Sequence, residues 1–268
     1  MPKVIRDGVS IDYAVDGDPG DPSVLLLAGL GYGRWMWRWL TATLADQYEV
    51  IRPDNRGTGE SDTPDGPYTI DELAADAIAV LDDHDVDRVH VCGASMGGMT
   101  AQALALVDDR VDSLTLLCTS PGGEDAVETP ADVREHIFDP PSDVTPRERI
   151  RYLMEPAVTD GFYQREPELV EEIVDHRLVG DATPAGREAQ AAAVATFDAT
   201  GRLDAVDVPT RVLHGSNDRV LPAANAELLG EQLPHATVEL FDGGSHLFFI
   251  EDRDAVNARI ESFLTEVA

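Results

Sequence analysis

The sequence predicts an α/β protein, with a mostly parallel central sheet, helices on both faces and a helical segment inserted ahead of the last strands. Three observations lead there. Short apolar runs alternate with amphipathic stretches from Val24 onward; the pentapeptide Gly93-Ala94-Ser95-Met96-Gly97 joins an apolar run to a small-residue helix; and the strand signal lapses between 121 and 200 before it resumes.

In chain order, Ile11 to Val15 alternates as a half-exposed strand does, and Asp16 to Pro22 reads as a turn. Val24 to Ala28 is continuously apolar between Pro22 and Gly29, the pattern of a strand buried on both faces of a parallel sheet. Glu49 to Arg52 and Arg88 to Cys92 read as its neighbours. Between them, Tyr68 to His84 places Ile70, Leu73, Ala74, Ala77, Ile78 and Leu81 on one helical face, with Thr69 and Glu72 spaced as a capping box. Thr100 to Val107 predicts a helix and Val111 to Cys118 a strand. From Pro121 to about Thr200 only helices are expected, at Pro146 to Met154, Pro167 to Val179 and Pro184 to Ala199. Alternation then resumes with Thr210 to His214, Ala223 to Leu233, Thr237 to Leu240 and Ala255 to Val267. The expected division is therefore a core of residues 1–120 and 201–268 with a helical cap at 121–200, and no repeat or linker points to a second independent domain.

Composition narrows the function. Fifty-one acidic residues against 20 basic give a net charge of −31, and Lys3 is the only lysine. A surface this acidic repels nucleic acid and anionic membranes, and the acids are spread along the chain rather than gathered in a tail. The expectation is a halophile's cytoplasm, where salt screens the mutual repulsion. No apolar stretch reaches the roughly 18 residues of a membrane span, and the N-terminus has no secretory pattern, so a cytoplasmic protein is expected. Cys92 and Cys118 lie in apolar segments, where a small buried side chain is the expected role and no disulfide framework follows.

The chemistry centres on Ser95. A Gly-x-Ser-x-Gly pattern between strand and helix is a nucleophile elbow: the turn is strained, small neighbours keep it open, and the hydroxyl stands exposed above the sheet. Serine is a weak nucleophile at neutral pH and needs a base, which needs a third group to fix its tautomer. His246, in Gly243-Gly244-Ser245-His246-Leu247, and Asp218, in His214-Gly215-Ser216-Asn217-Asp218, each follow a strand end, where open α/β sheets gather ligands. The order Ser, Asp, His is the one this elbow calls for. His214 is assigned to packing or turn stabilisation. The oxyanion donors are expected at the backbone N–H of Met96 and, in the glycine-rich loop Ala28 to Gly33, at Leu30. No cofactor and no metal is called for. Trp37 is expected in the core, and Trp35, Trp39, Met99, Phe162 and Tyr163 supply candidates for an apolar acyl pocket.

These motifs together resemble the α/β-hydrolase superfamily over essentially the whole chain, adding Asp54-Asn55-Arg56-Gly57-Thr58-Gly59-Glu60-Ser61, similar to that family's D-x-R-G-x-G-x-S turn. The resemblance implies the α/β-hydrolase fold and a structural role for Arg56 and the glycines. The chain departs from the pattern at Ala28, where relatives commonly carry histidine, which leaves the support of the oxyanion loop open. Ser95-Met96-Gly97-Gly98 with Gly66-Pro67-Tyr68-Thr69 is similar to small carboxylesterases and 3-oxoadipate enol-lactonases, and cofactor-free perhydrolases and haloperoxidases share the first run. Serine at the elbow separates the chain from haloalkane dehalogenases and epoxide hydrolases, which use aspartate. The expectation is a carboxylesterase acting on a small-molecule ester or lactone. Enol-lactonase or perhydrolase activity stands as the alternative, and a non-catalytic ligand-binding protein on the same fold as the alternative of another class.

Overall fold

A computed structural model describes all 268 residues. Eight strands form one sheet in the order β1-β2-β4-β3-β5-β6-β7-β8: β1 (Lys3–Arg6), β2 (Val9–Asp16), β3 (Ser23–Leu27), β4 (Glu49–Pro53), β5 (Val89–Ala94), β6 (Val111–Leu117), β7 (Thr210–Gly215) and β8 (Ala236–Phe241). β1 and β2 pair antiparallel, as do β2 and β4; every other pairing is parallel. Strand β1 was not anticipated. It turns into β2 through Asp7 and Gly8, both at positive φ (53° and 83°), the geometry of a two-residue hairpin turn.

The central strands are buried on both faces because their side chains alternate between two cores. On β3, Leu25 and Leu27 join a cluster with α2 (Ile70–Asp83) and α3 (Met96–Ala105), while Val24 and Leu26 join the opposite cluster with α1 (Arg38–Leu44). Thr69 caps α2 through the predicted box, its hydroxyl accepting from the Glu72 N–H while Glu72 reaches back to the Thr69 N–H. Trp37 is buried as expected.

Between β6 and β7 the chain forms helices α4 (Ala131–Phe138), α5 (Pro146–Met154), α6 (Phe162–Arg165), α7 (Pro167–Gly180) and α8 (Pro184–Thr196). Two of these, α4 and the short α6, were not anticipated, and α8 ends three residues early. The two ends of this insertion meet. Gly122 and Asp198 form an isolated bridge, and the Ala199 N–H donates to the Pro121 carbonyl at 2.9 Å. Helices α9 (Ala224–Gln232), α10 (Phe248–Glu251) and α11 (Arg253–Val267) complete the fold, with α9 in the α2 cluster and α11 packed beside α1. No helix is long and apolar enough to cross a membrane.

Candidate active site

Ser95 sits between β5 and α3 at φ 55°, ψ −117°, a conformation L side chains rarely adopt. The surroundings hold it there. Its N–H donates to the Leu117 carbonyl at 2.9 Å, and its own carbonyl accepts from the Gly98 N–H and the Thr119 hydroxyl. The flanking glycines have a direct reason to be glycine: a Cβ on Gly93 would lie 2.2 Å from the Gly97 carbonyl oxygen, and one on Gly97 would lie 2.0 Å from the Leu27 carbonyl oxygen. The turn closes this tightly only without side chains at either position.

Asp218 and His246 reach the same edge of the sheet from the loops after β7 and β8. Those loops are joined by backbone bonds from Ser216 N–H to Phe241 and from Asn217 N–H to Gly244, and Gly215 packs so closely that a Cβ there would meet the Ser245 and Gly244 carbonyl oxygens at 2.3 and 2.4 Å. The result is a 2.7 Å hydrogen bond between His246 Nδ1 and Asp218 Oδ2. The other carboxylate oxygen accepts from the Val220 and Leu221 N–H groups at 2.8 and 2.9 Å. Burial pushes the Asp218 carboxyl up, but the charge of His246 and hydrogen bonds from His214 and His246 outweigh it and hold the carboxyl at about 2.

His214 stabilises the turn, as expected, and also reaches Asp218. Fully buried on β7, it places Nε2 2.8 Å from the Leu221 carbonyl and 3.1 Å from Asp218 Oδ2, so two histidines share one carboxylate oxygen. Both neighbours of Nε2 are acceptors, which puts the proton on that nitrogen.

Ser95 and His246 line one cavity of about 230 Å³, without a hydrogen bond between them. Catalytic contacts commonly tighten only when substrate is bound. Leu30 lines the same cavity. In its loop the Gly29 N–H is taken by Met36 Sδ and the Gly31 N–H by Gln190 Oε1, while the Leu30 N–H has no partner. Met96 opens α3, where the first N–H groups of a helix have no intrahelical acceptor, and it is equally free. The loop's support comes from unanticipated residues: Asn55 donates to the Ala28 carbonyl at 3.1 Å, and Gln190 reaches in from α8.

The pocket walls differ from expectation. Tyr32, Met36, Phe249 and insertion residues such as Phe138 and Val194 line the cavity. Trp35 instead stacks on His176 and bonds Asp181, Met99 belongs to the core, Phe162 is buried in the cluster on the α1 side, and Trp39 and Tyr163 pack at its edge, so none of the five lines the cavity. Arg177 and Arg187 do face it. Arg177 donates to Asp181 at 2.7 Å and lies 4.3 Å over the Tyr32 ring, but one of its buried nitrogens has no partner. No carboxylate lies within salt-bridge distance of Arg187, and burial together with the nearby Arg177 charge lowers its pKa. The D-x-R-G turn is structural, as the resemblance implied: Arg56 holds Asp76 at 2.6 and 2.8 Å, both side chains buried.

A mostly parallel sheet with a serine elbow at its carboxyl edge, an acid and a histidine on the last two loops and helices inserted above defines a class of hydrolases. The chain belongs to the α/β-hydrolase family, whose fold description matches residues 22–253. It is 32% identical over 260 residues to 3-oxoadipate enol-lactonase 2 of Acinetobacter baylyi, covering 96% of this chain and 93% of that protein. A putative carbamate hydrolase, RutD, of Azorhizobium caulinodans is 31% identical over 272 residues, covering 100% and 99%. Among solved structures, the enol-lactonase from Burkholderia xenovorans superposes with a TM-score of 0.86 at 27% identity, covering 98% of this chain and 100% of that one.

Proposed function

We propose that this hydrolase cleaves carboxylic esters through an acyl-enzyme on Ser95, with His246 as general base and acid and Asp218 as its orienting partner. One observation carries the reading. Ser95, His246 and Leu30 line a single cavity, with Asp218 bonded to His246 behind it and Met96 following Ser95 at the start of α3.

The roles follow from the contacts. Asp218 accepts the Nδ1 proton of His246, which leaves Nε2 as the acceptor for the Ser95 proton as Oγ adds to the carbonyl carbon. The carbonyl oxygen becomes an oxyanion, to which the Leu30 and Met96 N–H groups donate. Collapse of the tetrahedral intermediate breaks the ester C–O bond, and His246 returns the proton to the leaving alcohol. Water, deprotonated by His246, then adds to the acyl carbonyl and regenerates Ser95. Residues 121–200 act as a cap over this step, since α4, α7 and α8 supply much of the cavity wall. Ser95→Ala should remove p-nitrophenyl ester turnover with the fold intact, and a fluorophosphonate should label Ser95. Undiminished turnover refutes the assignment, and failure to label favours a non-catalytic ligand-binding protein.

A second reading concerns the acyl group. The chain has far fewer bases than acids, yet Arg187 meets no carboxylate and shares the cavity with Arg177. Both guanidiniums suit a lactone or ester that carries its own carboxylate, as an enol-lactone of a dicarboxylic acid does. Arg187→Met should lower kcat/KM for a carboxylated ester about 10- to 100-fold, the range of one or two charge-assisted hydrogen bonds, and leave a neutral ester unaffected. Equal losses on both substrates refute this selectivity.

A further inference from the structure

Gln190 is wholly buried on α8, yet it uses every polar atom of its amide on two loops far away in sequence. Its Oε1 accepts from the Gly31 N–H at 2.8 Å, and its Nε2 donates to the Arg56 carbonyl and to the Thr58 hydroxyl oxygen, each at 2.8 Å. A leucine there would fill similar space without an amide to satisfy, but it would strand the Gly31 N–H and the Arg56 carbonyl in the interior. Polarity at this buried position therefore serves the groups it touches.

One of those groups, the Gly31 N–H, directly follows the proposed oxyanion donor. Gly31 is at φ 79°, and both of its peptide groups are held by the insertion: the N–H by Gln190 and the C=O by the Ala182 N–H at 2.9 Å. On the other side, Met36 Sδ takes the Gly29 N–H. Leu30 thus lies between two anchored peptides, and its own N–H has no partner. The same peptide's carbonyl, on Gly29, accepts from the Tyr32 N–H at 3.1 Å, so the direction of the N–H is set by that turn together with the anchored peptides on either side.

We infer that Gln190 is a positioning residue that aims the Leu30 N–H, so that the oxyanion hole is complete only while α8 is seated on the core. This rests on the proposed serine mechanism with Leu30 as donor. The contribution is to the transition state: an oxyanion forms after substrate has bound, so a misaimed donor lowers kcat and leaves KM unchanged.

Gln190→Met keeps the volume and removes the amide. Expected are a fall in kcat of about 10- to 100-fold with KM within about twofold of wild type, and an equal loss of affinity for an aryl trifluoromethyl ketone, whose adduct on Ser95 is itself an oxyanion. Thr58→Val removes one Nε2 contact without touching Gly31 and should leave both quantities within about twofold of wild type. Gln190→Asn keeps an amide near the Arg56 carbonyl but, one methylene shorter, withdraws the acceptor from the Gly31 N–H, so it should show the same selective loss of kcat and inhibitor affinity; this variant also decides the matter if Gln190→Met fails to fold. The inference is overturned by a folded Gln190→Met or Gln190→Asn with wild-type kcat and inhibitor affinity, or by a rise in KM alone. Wild-type inhibitor binding that Ser95→Ala abolishes tests the underlying mechanism separately.

Discussion

Replacing Asp218 by asparagine tests the proposed base through its hydrogen-bond directions. Oδ1 accepts two backbone N–H groups, from Val220 and Leu221, and Oδ2 faces His246 Nδ1 and His214 Nε2. An asparagine must put its oxygen against the two backbone donors, because the opposite orientation sets an NH2 against them and strands buried donors at about 1–3 kcal/mol each. The amide NH2 then points at His246 and makes Nδ1 an acceptor, which moves the ring proton to Nε2 and leaves nothing to receive the Ser95 proton. In a well-characterised triad the same change lowers kcat about 10⁴-fold; here that corresponds to about 5 kcal/mol of transition-state stabilisation. The assay is steady-state hydrolysis of a p-nitrophenyl ester at neutral pH, with circular dichroism and Tm to show that the variant folds. Retention of more than about a tenth of wild-type kcat by folded Asp218→Asn refutes the tautomer argument. The same carboxyl carries a stability signature. Its folded pKa of about 2 lies below the ordinary 3.8, so its contribution is complete above pH about 4 and is lost as pH falls towards 2. The shift corresponds to about 2 kcal/mol, and the asparagine variant should lack this acid-dependent component.

Gly97→Ala should fail at the level of folding, since its Cβ would meet the Leu27 carbonyl oxygen at 2.0 Å, inside a parallel sheet that cannot yield; soluble expression with a wild-type Tm contradicts that reading of the elbow. Raising KCl from 0.1 to 2 M should increase Tm by several degrees, on the order of what relief of self-repulsion at a net charge of −31 allows when the Debye length falls from about 10 Å to below 3 Å. A Tm indifferent to salt removes the argument for a halophilic surface.

Much of the core was legible because its signals are local. The apolar run Val24 to Ala28, the Thr69–Glu72 capping box and the glycines around Ser95 each announce their structure within a few residues. Strand β1 is signalled only by Asp7-Gly8, a strong hairpin pair, because a four-residue edge strand with exposed or half-exposed side chains carries no apolar run of its own. Helix α4 gave no periodic signal because it buries only Val133. The support of the site was illegible for a different reason. Gln190 meets Gly31 across 159 positions, and the aim of His214 at Asp218 depends on how the loop after β7 folds back. Neither contact follows from spacing, and neither residue type is unusual where it stands.

The meeting of Gly122 with Asp198 makes the whole helical segment a graft with a ready-made attachment point. Because its ends already touch, exchanging it for a longer or shorter segment from a relative changes the loop-closure cost by only about 0.6 kcal/mol per doubling of length, and the β6–β7 pairing below needs no adjustment. Chimeras should therefore fold readily, and substrate preference should travel with the donor segment. Two contacts limit the exchange: a donor segment must present an amide where Gln190 stands and an N–H where Ala182 meets the Gly31 carbonyl, or the hybrid should bind new esters and hydrolyse them slowly.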